Sequence, residues 1–324
     1  MFSKNALDMD AASVVAGIEQ KIREQVLGTL KRRGAVLGLS GGVDSSVVAS
    51  LCVRALGKER VFCLFMPDID SEDDSLRLGR LMAGRLGVEA VLENIGPTLS
   101  AIGCYERQIQ AIRELFPEYG PGWKCKVSLP SILETERLNI SHLTVESPAG
   151  EIRSARMTPK AYLGLIAATN FKQRIRKTME YYYADRLNYA VAGTPNRLEY
   201  DQGFFVKQGD GAADFKPIAH LYKTQVYALA EYLDVPLEIR RRPPTTDTFS
   251  MAQTQEEFFF ALPYDKMDLC LYAHNHGIAA SEVAPAVGLS PEQVNRVFKD
   301  IDSKRRATRY LHAAPLFIES VSEV

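Results

Sequence analysis

The heptapeptide Ser40-Gly41-Gly42-Val43-Asp44-Ser45-Ser46 constrains this chain more than any other feature, because of what flanks it. Before it, the apolar run Ala35-Val36-Leu37-Gly38-Leu39 reads as a buried strand. After it, Val43, Val47, Val48, Leu51, Cys52, Ala55 and Leu56 recur at helical spacing until Gly57 closes the stretch where a left-handed residue suits a helix end. Strand, glycine turn and helix start in succession make an anion cradle. Adjacent glycines let the backbone approach a ligand with its N–H groups turned inward, and the helix adds the positive end of its dipole. Ser40, Ser45 and Ser46 contribute hydroxyls. Asp44 would repel a bare phosphate, so its presence points to a magnesium ion bridging its carboxylate and phosphate oxygens. The lysine-bearing loop G-x-x-x-x-G-K-[ST] is absent, and a plain capping turn would not need two glycines, an acid and three serines together.

Strands and helices alternate around this turn. Val61 to Met66 is a second apolar run stopped by Pro67, Asp73 to Leu86 is helical, and Val88 to Ile95 reads as a strand. The pattern resumes after residue 164 with a long helix, a strand at Asn188 to Ala192 and a helix from Leu221 to Leu233. This alternation predicts an α/β fold with a doubly wound parallel sheet and helices on both faces. The segment Ser100 to Leu163, with Pro117, Pro121, Pro130, Pro148 and the sole tryptophan, Trp123, reads as an irregular insertion. Ser281 to Ile301 reads as two short helices, the second opened by Ser290-Pro291-Glu292-Gln293, within a helical tail at about 281–324. The expectation is one domain, 1–324.

A net charge of -1, with 24% charged and 46% hydrophobic residues, describes an ordinary globular chain and lacks the cationic surplus of a general nucleic-acid binder. The five cysteines form no C-x-x-C pair, so neither disulfides nor zinc is expected. No apolar run approaches a membrane span and the first residues lack a signal peptide's apolar core, so the expected location is cytoplasmic.

The heptapeptide resembles the signature of the ATP pyrophosphatases, which split ATP into AMP and pyrophosphate while adenylating a carbonyl or carboxyl oxygen. The second half narrows the choice. Gly193-Thr194-Pro195-Asn196-Arg197-Leu198-Glu199, the stretch Gly203 to Asp214, and Leu221-Tyr222-Lys223 follow in an order similar to the core of the NAD synthases. Asn170, Lys172, Arg174, Arg176 and Met179 resemble that family's arginine-bearing helix, and Pro244-Thr245-Thr246-Asp247 its Pro-Thr/Ser segment. The resemblance implies ATP-dependent amidation of deamido-NAD by ammonia, through an adenylated dinucleotide, in a homodimer whose interface helps form the dinucleotide site. It further implies that Gly38, Leu39, Ser40, Gly41, Gly42, Val43, Asp44 and Ser45, with Met66, Thr194, Lys223 and Thr245, hold ATP. Asp44 and Glu199 would ligate Mg2+; Arg176, Lys207, Asp210, Asp214 and Lys304 would meet deamido-NAD; Asp44, Lys207 and Lys223 would serve the chemistry. Positive charge from Lys207 and Lys223 suits a reaction in which one anion attacks another.

The resemblance has gaps. Ser303-Lys304 stands where many members carry a His-Lys pair, and Ser100 to Leu163 replaces a short connection of compact members. Only 39 residues precede Ser40, too few for a glutamine-hydrolysing domain, so ammonia is expected free or from a separate glutaminase. Two other functions compete: an ATP pyrophosphatase-type ligase acting on another carboxylate or on tRNA, and a DNA-binding regulator using the last helices as a helix-turn-helix around Gly288. Arg240-Arg241-Arg242 reads as a solvated turn, His274-Asn275-His276 as chance, and Phe258-Phe259-Phe260 as core or interface.

Overall fold

In the computed structural model, residues 2–129, 141–245 and 248–321 are described. The chain begins with α1 (Ala11–Arg23), whose N-cap Asp10 accepts a hydrogen bond from the Ala12 N–H. It then alternates β1 (Ala35–Gly38), α2 (Val43–Leu56), β2 (Val61–Phe65), α3 (Asp73–Leu86) and β3 (Glu89–Leu92). With β7 (Ala190–Val191) these strands form a parallel sheet of order β3-β2-β1-β7, in which Ala35 pairs with Val61 on one side and Ala190 on the other.

Period-two alternation sorts the buried strands between two layers. Ala35, Leu37, Val61, Cys63 and Phe65 face a core shared with α1 and α2, while Val36, Phe62 and Leu64 face Tyr183 and Ala184 of the long helix α6 (Pro159–Leu187). Burial on both faces is why these strands appear in the sequence as unbroken apolar runs. The expected strands at 88–95 and 188–192 shorten to Glu89–Leu92 and Ala190–Val191, and the helix expected from Leu221 becomes Lys223–Tyr232. Gly57 has the expected positive φ of 87°, but its ψ of 145° keeps it out of the left-handed helical region.

The expectation that residues 100–163 are irregular is corrected. After α4 (Gly96–Ala101), this region forms α5 (Cys104–Arg113) and an antiparallel sheet of β4 (Lys124–Ser128), β5 (His142–Glu146) and β6 (Ile152–Arg156), then opens α6 behind Thr158. Cys125, Val127, Leu143 and Val145 alternate inward and pack with Ala111 and Ile112 of α5 and Ala161 and Leu165 of α6. The prolines and glycines that suggested irregularity stand in the connections, where Gly122 and Gly150 take φ of 79° and 82°; Pro130 lies outside the described residues.

The second half adds α7 (Arg197–Gln202), α8 (Lys223–Tyr232), α9 (Leu237–Arg241), α10 (Tyr264–Asn275), α11 (Ala280–Val287) and α12 (Pro291–Thr308). Ser290 and Gln293 cap α12 reciprocally, as its sequence indicates. The expected helical tail ends sooner: beyond Thr308 there is one short turn, Arg309–His312, then irregular backbone to residue 321. Of the two short helices expected over 281–301, the second runs on to Thr308, and Val283, Val287, Val294, Val297 and Ile301 of the pair build a further core with Met267 and Cys270 of α10. Among the described residues, no helix is long and apolar enough to cross a membrane.

Leu143, with no exposed surface, ties the antiparallel sheet to α6. Leu143→Ala is expected to destabilise the protein by about 2–5 kcal/mol. A urea titration followed by circular dichroism should show one shifted transition; an early separate transition would mean that this region folds independently of the parallel sheet.

Candidate functional site

A cavity of about 410 Å³ opens beyond the carboxyl ends of β1 and β2, the position where open α/β sheets bind ligands. Its floor is the β1–α2 turn. Gly41 takes φ of 77°, and a Cβ there would lie 2.5 Å from the Ser75 carbonyl oxygen of α3, so the turn tolerates no side chain. The serines hold its shape: Ser40 N–H donates to Ser45 Oγ (3.3 Å), and the Ser45 and Ser46 hydroxyls donate to the Gly42 carbonyl (3.1 and 2.8 Å). Gly38, Leu39, Ser40, Gly42 and Val43 line the cavity beside Asp44 and Ser45, whereas Gly41 turns into α3.

Asp44 in the first turn of α2 meets a residue far along the chain. The fully buried Lys223, at the start of α8, donates its ammonium to Asp44 Oδ2. Asp268 of α10 fixes that helix end by accepting from the N–H groups of Lys223 (3.2 Å) and Thr224 (2.7 Å). Asn196 then links Asp44 to Glu199. Its side-chain amide donates to Asp44 Oδ1 at 3.0 Å, its backbone N–H donates to Glu199 Oε2 at 3.0 Å, and its Oδ1 accepts from the Glu199 N–H at 3.2 Å. This is the capping box written as Asn196-Arg197-Leu198-Glu199, so the same residues start α7 and aim its carboxylate.

The electrostatics are unbalanced. Burial, followed by the charge of Asp44, pushes the Glu199 carboxyl above the ordinary glutamate range despite Lys223. Burial works against the Lys223 ammonium, yet Asp44 and Glu199 outweigh it and hold the lysine above its ordinary value. Two carboxyl groups thus share one buried cation, and a second cation would favour the ionised form of Glu199. Among the described residues no group of three or more acidic, histidine or cysteine side chains could hold a metal by itself. A pair of carboxylates completed by phosphate oxygens fits Mg2+, which seldom uses an all-protein cage.

The opposite wall comes from α6. Lys177 and Glu180 form a buried pair at 2.6 Å, and Glu180 Oε1 would lie 3.0 Å from a Cβ at Gly38, which explains a glycine at the end of β1. Arg176 donates through Nε to the Met66 carbonyl (3.1 Å) and through Nη2 to Asp68 (3.0 Å). Lys172, 1% exposed, reaches Asp68, Asp70 and the Thr248 carbonyl. This network pins the loop after β2 that carries Met66.

Of the residues expected at the site, Met66, Arg176, Thr194, Asp210 and Thr245 line the same cavity as Asp44 and Glu199. Burial raises the Asp210 carboxyl above its ordinary range, against Lys177, and Asp210 accepts from the Val206 N–H at 2.8 Å. Lys207, Asp214 and Lys304 lie outside the cavity lining, and so does Lys223, expected to hold ATP, whose side chain is buried behind Asp44. The Lys207 ammonium donates to the carbonyls of Tyr310 (2.9 Å) and Ala313 (3.2 Å); Asp214 accepts from the Val191 N–H (2.7 Å) at the end of β7; Lys304 pairs with Asp300 at 2.6 Å beside Phe259. Thr246 and Asp247 fall outside the described residues. Sequence reasoning missed Asn196, Glu180 and Arg242 as site residues. Asn196 was legible as a capping box; Arg242, whose Nη2 donates to Glu72 and Ser75 at 2.8 Å, was hidden in a run of three arginines.

The family model described as NAD synthase matches residues 14–116 and 133–309. A relative from Mesorhizobium japonicum, named NH(3)-dependent NAD(+) synthetase, is 63% identical over 98% of this chain and 99% of its own. Another of that name, from Thermotoga maritima, is 38% identical over 92% of this chain and 96% of its own. Among solved structures, NH3-dependent NAD synthetase from Campylobacter jejuni in complex with the nitrate ion is similar with a TM-score of 0.63 at 25% identity, covering 96% of this chain and 100% of that one. The alignment with the Mesorhizobium protein leaves no room for residues 100–163 to be peculiar to this chain.

Removing the cation beneath two carboxylates should be costly. Lys223→Met is expected to destabilise the protein by about 3–5 kcal/mol, and combining it with Asp44→Asn should recover part of that loss. Thermal unfolding of the two variants in metal-free buffer checks this; equal melting temperatures for both would show that Asp44 and Lys223 are not coupled.

Proposed function

The chain belongs to the NAD synthase family, and from that premise we propose how its residues divide the work of that family's reaction. The reaction is the ammonia-dependent amidation of deamido-NAD to NAD, the activity of a carbon–nitrogen ligase. The observation that carries the division of labour is the Asp44–Lys223–Asn196–Glu199 cluster at the N-terminus of α2, on the floor of a cavity large enough for a nucleotide.

ATP lies with its phosphates over the Ser40–Ser45 turn, taking the α2 dipole and the turn's N–H groups, and with its adenine toward Gly38 and Met66. Thr194 and Thr245 border it. Asp44 and Glu199 would hold Mg2+, which would supply positive charge to offset the triphosphate and the leaving pyrophosphate. The nicotinate carboxylate attacks the α-phosphorus and pyrophosphate departs. Ammonia then attacks the acyl carbon of the adenylated intermediate, AMP leaves, and the nitrogen gives up a proton. No protein nucleophile takes part. What the chain supplies is alignment, together with charge that lets two anions meet. Lys223 serves from behind, fixing Asp44 instead of touching substrate, since its side chain has no exposed surface.

Arg176 orients Met66 from the cavity side. Lys207 and Asp214 stand outside the single-chain cavity, and Asp214 is exposed beside Tyr181. Their expected contacts with deamido-NAD are met if the dinucleotide runs out of the cavity toward a second copy of the chain, so we take the working form to be a homodimer. The competing ligase and DNA-binding readings have no comparable support, because the family match runs through both the ATP turn and the last helices.

The assay supplies ATP, Mg2+, ammonium and deamido-NAD and follows NAD and AMP together. The two products should appear in equal amounts, chelation of Mg2+ should stop both, and Asp44→Ala should lower the rate by about 10²–10³-fold. AMP formed without NAD would overturn the assignment of substrate.

A further inference from the structure

Residues 305–313 do not themselves line the cavity, yet they grip the elements that form one of its walls. Gly203, Phe204, Phe205, Val206 and Asp210 line the cavity immediately after α7, the helix that carries Glu199. Four separate contacts bind this stretch to the end of α12 and the turn beyond it. Arg305 forks onto Asp201, with Nε and Nη2 donating at 2.6 and 2.8 Å. Thr308 packs on Gly203, whose φ of 74° and missing Cβ leave room for it, and its hydroxyl reaches the Gln202 carbonyl at 3.2 Å. His312 packs perpendicular to two rings that stack on each other, with centroids at 4.8 Å from Tyr200 and 5.0 Å from Phe205. Finally, the carbonyls of Tyr310 and Ala313 accept from Lys207.

We propose that Arg305–Ala313 is a strap that positions the Gly203–Asp210 wall and the Lys207 ammonium for the dinucleotide, with His312 as its packing pin. An ammonium has three N–H donors, and the strap engages two through fixed backbone carbonyls, which directs the third. Freed from the strap, a four-carbon stem would sample many rotamers, and ordering it on substrate would cost part of the binding free energy. His312 is held by these two ring contacts and by a hydrogen bond from its imidazole to the Tyr200 backbone, so its part is to fix the strap on α7. The strap is a set of positioning residues and rests on the NAD synthase reading given above.

The test compares the full chain with a chain ending at Thr308 and with His312→Ala and His312→Phe. Measured for each are kcat, KM for deamido-NAD, and the rate of limited proteolysis within 203–211. The shortened chain should show KM raised about tenfold with kcat within about twofold, and faster cleavage of the loop. His312→Ala should shift KM in the same direction by a smaller factor, and His312→Phe, which keeps the ring contacts but not the hydrogen bond to Tyr200, should shift it less than His312→Ala. Unchanged KM and cleavage in the shortened chain would overturn the strap, as would His312→Phe behaving like His312→Ala. If the shortened chain fails to fold, the two His312 variants decide. Absence of NAD formation by the full chain would instead count against the functional reading itself, so the two failures are distinguishable.

Discussion

Burying Lys223 against Asp44, with Glu199 alongside, is the constraint on which the rest of the site depends. Taking charged groups out of water costs several kcal/mol per ion before any attraction is counted, and here that cost shows in a Glu199 carboxyl held above its ordinary range by burial and by Asp44. Such an arrangement persists only where the scaffold over-determines it. Asp44 is fixed by the first turn of α2, Lys223 by the Asp268-capped start of α8, and Glu199 by the Asn196 capping box of α7. Three helix N-termini converge on one point, each adding the positive end of its dipole to a place that must tolerate carboxylates.

The layered core makes that convergence possible. The β1 strand delivers the glycine turn, β7 delivers Thr194 and Asn196, and α6 crosses behind both to bring Arg176, Lys177 and Glu180 to the facing wall. Because β1 and β2 are covered on both faces, their ends are held with little freedom, and the loops that leave them inherit that rigidity.

Much of this was legible in the sequence. Apolar runs at 35–39 and 61–66, each followed by a helical period, gave the parallel sheet, and the glycine turn after Leu39 stands between strand and helix as expected, with Ser40, Gly42 and Val43 lining the cavity. The antiparallel sheet at 124–156 was not read, although Cys125-Lys126-Val127 and Leu143-Thr144-Val145 carry a clear period of two, because prolines and glycines in the connections dominated the reading. Distant partners are a deeper difficulty. Nothing local in Lys207 shows that its ammonium meets the Tyr310 carbonyl, and nothing in Asp214 shows that it closes the end of β7. Such pairings exist only after the chain has folded, and one sequence without its fold carries the residue types but not the contacts.

The reading of Asp44 and Glu199 as a divalent-cation pair, kept from mutual repulsion by Lys223, can be decided by a crystal structure with Mg2+ and a non-hydrolysable ATP analogue. The account predicts one oxygen from each carboxylate about 2.1 Å from the ion, the remaining positions being filled by phosphate oxygens and water. An ion held by the triphosphate alone, with Glu199 still facing Asn196 and no carboxylate in contact, would contradict it.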